Sequence, residues 1–292
     1  MRGNVEAHLV VAPGSLAAVL DLIAAMPGEW TPIAGGTEIM VAHAAGRPVA
    51  EKLVSIWGIP ELRFIEDRSE SIAIGAATTF SDLRAHAAID GDWPLLSAAS
   101  AWIGCVANQS RATVGGNVVN GSPAADSSPA FLVYDAEIEL VSSRGSRRMP
   151  YAAFHTGYKQ NAMAPDELLY AIHLPRRFAR HRQYLRKVGT RRAMAIAKVA
   201  LAATALLENG QISEIRVAAA SLAPFPTRML QVETALLGQP INSITIRSAR
   251  AALLAEARPI DDIRSTAEYR RQVAANLLQE FLIKLRTGDT SK

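Results

Sequence analysis

The 292-residue chain contains a single cysteine, Cys105. No disulfide framework is possible, and an iron–sulfur cluster, which takes about four cysteine ligands, cannot be held by this chain alone. A redox role would therefore require an organic cofactor. Long apolar runs are also missing: the nearest, residues 193–207, is short and interrupted by Lys198, well under the ~20 apolar residues of a membrane-spanning helix. The first residues, MRGNVEAHLVV, carry no apolar signal-peptide core, which predicts a cytoplasmic protein. There, Asn108–Ser110 and Asn120–Ser122 are inert as glycosylation sequences. The six histidines, His8, His43, His86, His155, His173 and His181, show no metal-ligand spacing and are read as structural. No Ser/His/Asp arrangement can be assigned, so no catalytic side chain is named.

Between Arg176 and Lys198 acid is absent while Arg and Lys abound. Aromatics are sparse there, which counts against bases stacked on the protein. The start of this run reads as a linker into another domain. At 292 residues, two or three domains are expected. The 49% hydrophobic content suits an α/β protein, and a net charge of +4 favours a polyanionic cofactor or an acidic partner surface without demanding nucleic acid.

What is present in quantity is glycine with small polar residues, in two places. The stretch Ile103–Ala130 gathers Thr113, Gly115, Gly116, Asn117, Asn120, Gly121, Ser122 and Asp126 with almost no charge. It is expected to be a poor core and a poor helix, but able to present backbone N–H groups, hydroxyls and amides to a ligand. Far upstream, Thr31–Ile39 has the same character: a strand over Trp30–Ile33, the Gly35-Gly36 turn, then a helix start at Thr37-Glu38. That arrangement presents N–H groups to a phosphate, yet it matches neither a P-loop nor the G-x-G-x-x-G fingerprint. Two separated anion cradles predict one phosphate-bearing ligand held between them. Asp126 either caps a helix begun by Ser127-Ser128-Pro129 or accepts a hydrogen bond from a sugar or ribityl hydroxyl. Lys187, in the basic linker, is either a solvated charge or reaches back over the cofactor. By spacing alone Ile103 belongs to the core.

Elsewhere the pattern predicts a helix capped by Ser15, with Leu16, Val19, Leu20 and Ile23 on one face. A strand at Leu53–Ile56 precedes a turn at Ile59–Leu62, then strands at Phe64–Glu66 and Ser71–Ile74. Helices are expected at Thr79–Ala88 and Leu95–Ala101, strands at Ala136–Val141 and Leu168–Leu174, and a basic turn at Arg144–Arg148. Ile196–Leu207 and Ile212–Ser221 read as a hairpin closed at Asn209-Gly210, followed by helices at Met229–Leu237, Ile244–Glu256 and Ala267–Leu285.

In order along the chain, Ala34–Glu38 (AGGTE), Ile59–Leu62, Ile72–Ala76, Arg111–Asn117, Asp166–Leu169, Lys187, Ala223–Arg228 and Ser265…Tyr269-Arg270 resemble the FAD-binding (medium) subunit of the molybdenum hydroxylases, the group containing xanthine dehydrogenase and carbon monoxide dehydrogenase. The resemblance covers nearly the whole chain. It implies an α/β (α+β) fold: a p-cresol methylhydroxylase-type FAD-binding domain over 1–177, with subdomains of about 1–58 and 59–177. A C-terminal α/β domain of the CO dehydrogenase flavoprotein type follows over 182–286. It implies non-covalent FAD extended between the subdomains, its pyrophosphate against the backbones of Ala34, Gly35, Gly36, Thr37 and of Thr113, Val114, Gly115, Gly116. By position Pro32, Ile33, Glu38, Ile39, Ile103, Ala112, Asn117, Asn120, Asp126, Leu168 and Lys187 would also line the flavin or its tail. The implied partners are a small subunit with two 2Fe–2S clusters and a large subunit with a molybdenum–pterin cofactor, forming a heterotrimer or a dimer of heterotrimers. Electrons would pass from the clusters through FAD to NAD or a quinone. Two departures bear on the flavin's environment: Ala195 stands where the family often has an acid, and Ile103 where some relatives have an aromatic.

Two other functions are compatible with the residues. A stand-alone flavin oxidoreductase would need its own substrate pocket and an acid/base constellation. A non-enzymatic module binding nucleotides or nucleic acid would use the basic run.

Overall fold

The computed structural model describes residues 8–288; residues 1–7 and 289–292, and with them part of the N-terminal reading above, lie outside it. The chain begins with β1 (Leu9–Val11), α1 (Leu16–Ala25), β2 (Thr31–Ile33), α2 (Ile39–Ala44) and β3 (Lys52–Ser55). The strands form a small parallel sheet in the order β1-β3-β2. Ser15 caps α1 by accepting a hydrogen bond from Ala18 N at 3.3 Å. The helix buries Val19, Leu20 and Ile23 against Trp30, Val54 and Ile56. Because parallel strands all point the same way, the turn after β2 and the end of β3 emerge on the same edge of the sheet.

The next unit holds β4 (Ile65–Asp67), β5 (Ser71–Gly75), α3 (Phe80–Ala85), α4 (Ala87–Asp92), α5 (Pro94–Ser100), α6 (Val106–Gln109), α7 (Val114–Val119) and α8 (Ser128–Val133). It is completed by β6 (Glu137–Ser142), β7 (Gly145–Pro150), the short hairpin β8 (His155–Gly157) and β9 (Gln160–Asn161), and β10 (Leu168–Pro175). An antiparallel sheet runs β4-β5-β10-β6-β7. The predicted helix at Thr79–Ala88 is two helices, because His86 adopts an extended ψ of 116° that ends α3 and starts α4. The Arg144–Arg148 stretch is mostly strand rather than turn. β7 is a sheet edge, where exposed arginines discourage further strand pairing; here Arg144, Arg147 and Arg148 pair with Asp166, Glu167 and Glu139.

The glycine-rich segment departs most from expectation. Val114–Val119 is helical despite its two glycines, and Val114 and Val118 are fully buried. Its low intrinsic propensity is overridden by tertiary packing and by Thr113, whose hydroxyl accepts from Gly116 N at 3.2 Å. Gly115 is required by that packing, since a Cβ there would lie 2.6 Å from the Ala76 Cβ.

After a 3-10 turn at Arg176–Arg180, the last sheet runs β11 (Arg182–Val188), β12 (Val199–Glu208), β13 (Gln211–Ala220) and β14 (Thr227–Arg228), all antiparallel. Lys187 therefore stands on a strand, not in a linker. Asn209 and Gly210, both at positive φ (52° and 77°), close the predicted hairpin. Strand periodicity divides β12 between two cores: Val199, Leu201, Ala203 and Ala205 face α9 (Leu230–Leu236), α10 (Ser243–Glu256) and α11 (Ala267–Thr287), while Ala202 faces the preceding unit. On β13, Ala218 joins that second face. Small side chains there let α8 approach the sheet closely. Asp135, just after α8, accepts from Arg216 at 3.1 Å and Arg228 at 2.7 Å and also pairs with Arg177, tying the two units together.

Candidate functional site

The two glycine-bearing segments meet. A Cβ placed on Gly35 would fall 1.6 Å from the Arg111 carbonyl oxygen and 3.2 Å from Ala112 N. Only glycine allows main chain to lie against main chain at that distance. A second link joins the segments farther along: Glu38 pairs with Lys159 at 3.5 Å, on the turn between β8 and β9, and Lys159 Cα lies 3.3 Å from where a Cβ of Gly121 would be. The first loop thus abuts the second segment at Gly35 and reaches the neighbouring β8–β9 turn at Glu38. Arg111 is held in turn by stacking on Trp57, its guanidinium carbon 3.9 Å from the ring centroid. Sequence reasoning missed Trp57, Lys159 and the β8–β9 turn, none of which belongs to a recognisable local pattern.

The segments differ in what they offer an anion. Among the described residues, the backbone N–H groups of Gly35, Gly36, Thr37 and Glu38 have no acceptor in the chain. Those of the second segment are engaged: Val114 N donates to Thr78 O, Gly115 N to Ala76 O, Gly116 N to the Thr113 hydroxyl and Asn117 N to Thr113 O. The two main chains are therefore not equivalent, because capping and packing of α7 already use the N–H groups of Val114, Gly115, Gly116 and Asn117. What the second segment retains is the exposed surface of Gly116 and side-chain amides. Asn117 accepts from Ser127 Oγ at 2.7 Å through its Oδ1, and the Asn120 amide has no partner among the described residues.

Asp126 does not cap α8. Its Oδ2 accepts from Lys187 Nζ at 2.6 Å, and Lys187 also reaches the Trp102 carbonyl at 3.4 Å, so the ammonium clasps both ends of the Ile103–Asp126 segment. Both side chains are nearly buried, 11% exposed for Asp126 and 9% for Lys187. Burial raises the Asp126 carboxyl to about 6, and the adjacent ammonium only partly opposes this. The other oxygen, Oδ1, is buried and has no hydrogen-bond partner. A buried acceptor left without a donor is costly, and a hydroxyl-bearing ligand would satisfy it.

Of the remaining expected residues, Pro32, Ile33, Ala34 and Ile39 are half-buried around the first loop, and Ile103 packs on the central core. Ala112 and Thr113 are buried. Leu168, 3% exposed, lies in the apolar cluster on which Ala34 packs. Its side chain thereby backs the first loop. Other residues of the family-like pattern are structural: Arg228 pairs with Glu233 and Asp135, and Arg270 donates to Lys198 O and Asp262, each at 2.7 Å.

A fold of this layout, with free main-chain donors on one loop and an unsatisfied carboxylate across the segment it meets, defines a nucleotide-cofactor protein of mixed α/β type. Comparison with known proteins makes the class specific. Residues 4–177 match the model of the FAD binding domain in molybdopterin dehydrogenase, and residues 184–285 that of the CO dehydrogenase flavoprotein C-terminal domain. A xanthine dehydrogenase FAD-binding subunit from Escherichia coli O157:H7 is 32% identical over 92% of both chains. The carbon monoxide dehydrogenase medium chain of Hydrogenophaga pseudoflava is 26% identical over 93% of this chain and 94% of its own. Among solved structures, a carbon monoxide dehydrogenase from Hydrogenophaga pseudoflava lacking the Mo-pyranopterin moiety superposes with a TM-score of 0.89 at 26% identity, covering 94% of this chain and 95% of that one. Reconstituted CO dehydrogenase from Oligotropha carboxidovorans shares the fold with a TM-score of 0.92. This chain belongs to the FAD-binding subunits of the molybdenum hydroxylases and is an oxidoreductase component with an FAD-binding domain. Among the described residues, no helix is long and apolar enough to cross a membrane.

Proposed function

We propose that this chain is a cytoplasmic electron-transfer subunit that binds FAD non-covalently and passes electrons from 2Fe–2S clusters of a small partner subunit to NAD, a quinone or a similar acceptor. A large molybdenum–pterin subunit would oxidise the substrate. The apposition of Gly35 to the Arg111–Ala112 main chain carries this reading, because it sets the first loop's free N–H groups at the junction of the two segments. In the proposal, Gly35, Gly36, Thr37 and Glu38 donate to the pyrophosphate, replacing its hydration without a counter-charge. Asn117 and Asn120 supply side-chain amides, Asp126 Oδ1 accepts from a ribityl or ribose hydroxyl, and Lys187 holds Asp126 in place. Pro32, Ile33, Ile39 and Ile103 shield the ligand from water. Bound FAD supplies conversion between one- and two-electron transfer; the protein contributes binding, orientation and tuning.

Purified chain is expected to copurify with, or take up, stoichiometric FAD, and its flavin to be reduced when the reduced cluster-bearing partner is added. A flavin-loaded chain that is bleached by small organic substrates with no partner present would favour the stand-alone oxidoreductase instead.

A further inference from the structure

A second concave site lies at the far side of the C-terminal sheet, independent of the flavin reading. Arg180 on the 3-10 turn, Arg182 at the start of β11 and Arg286 in the last turn of α11 line a cavity of about 470 Å³. Its floor is apolar: Ala205 and Leu285 are buried, with Leu206 and Leu207 partly so. The two leucines are adjacent in sequence, and strand alternation would normally send them to opposite faces. Here the β12–β13 register shifts between them, a bulge of the kind that re-aims side chains beside binding sites, so both reach the cavity.

None of the three arginines has a carboxylate within ion-pair distance among the described residues. Their neighbours do. In the same 3-10 turn Arg176 pairs with Asp67 and Asp92, and Arg177 with Asp135 and Glu214. A cation in the last turn of a helix is favoured by the helix itself, which accounts for Arg286. Nothing local accounts for Arg180 and Arg182 beside it. All three residues are exposed and line this one cavity beside its apolar side chains, and guanidinium is suited to planar carboxylate and to phosphate.

We infer that this cavity is a binding site for a small organic anion, a phosphate monoester or a dicarboxylate, whose aliphatic part rests on Leu206, Leu207 and Leu285. Phosphate and carboxylate sources share the same recognition, and the experiment separates them. Full-length, FAD-loaded chain is titrated by calorimetry with inorganic phosphate, n-butyl phosphate and hexanedioate. Saturation of a single site by butyl phosphate or hexanedioate is expected, about tenfold tighter than by inorganic phosphate because buried methylenes add to the affinity. Arg182→Gln and Arg286→Gln should each weaken that binding about tenfold, ~1.4 kcal/mol, while Arg247→Gln, exposed elsewhere, leaves it unchanged. Circular dichroism and flavin absorbance verify that each variant is folded. The inference fails if no probe saturates at millimolar concentration, or if Arg182→Gln and Arg286→Gln bind as well as the parent. Equal affinity for inorganic and butyl phosphate, or capture of a polyglutamate peptide with no response to the small anions, would equally overturn it.

Discussion

Substituting Gly35 with alanine should separate the two segments that form the proposed cofactor site. The new methyl would stand 1.6 Å from the Arg111 carbonyl oxygen, whereas real Cβ contacts essentially never fall below 3.0 Å, so the main chains must part by at least 1.4 Å. The obstructing atom is backbone, and Arg111 is further held by its stack on Trp57, so no flexible side chain can yield. Overpacking of this kind costs about 1–3 kcal/mol of stability. The larger effect falls on the ligand, because the donors of Gly35–Glu38 move by more than the tolerance of a hydrogen bond. We expect Gly35→Ala to fold with a lowered melting temperature and to bind FAD at least about tenfold more weakly. Flavin fluorescence quenching measures the affinity and scanning calorimetry the melting. Gly14→Ala, with nothing within 4 Å of its Cβ, is the control. A Gly35→Ala protein that binds FAD with parental affinity would refute the proposed convergence at this point.

Further outcomes follow from the same geometry. Because burial lifts the Asp126 carboxyl from 3.8 to about 6, the folded FAD-free chain holds a proton there that the unfolded chain has lost. Its contribution to stability therefore falls as pH rises from about 4 to 6, by up to about 3 kcal/mol, and urea melts across that range should show a slope that Asp126→Asn flattens. A hydroxyl donated to Oδ1 favours the carboxylate, so FAD binding below pH 6 should release protons, detectable as buffer-dependent heats in calorimetry. Lys187→Met should weaken FAD retention and loosen the C-terminal domain, since it leaves the buried Asp126 without its cation; breaking such a pair costs about 3–5 kcal/mol, read by chemical denaturation. Asp135→Asn should destabilise the contact between the FAD-binding unit and the C-terminal sheet by about 1–3 kcal/mol, because Arg177, Arg216 and Arg228 converge on that carboxylate; a merged calorimetric transition should split.

Much of the fold was legible because its signals are local. Ser15 as a cap, the Asn209-Gly210 turn and the three C-terminal helices each depend on residues within a few positions. The Ile103–Ala130 stretch was misread as irregular because helix propensity is a local quantity, whereas α7 is held by contacts to Thr78 and Ala76. For the same reason the intrachain acceptors of the Val114–Asn117 N–H groups could not be read from the sequence. The site's composition was visible in its glycines, amides, Asp126 and Lys187, whereas the pairing of Asp126 with Lys187 across 61 residues was not. The links through Trp57 and Lys159 were not visible, since each joins residues far apart in sequence through a contact no motif encodes.

Hydrogen exchange with and without FAD tests the central claim most directly. The amides of Gly35–Glu38, which have no acceptor among the described residues, should become protected on binding, with weaker protection over residues 102–127. Protection confined to other segments, or none at residues 35–38 in a chain carrying stoichiometric flavin, would contradict it.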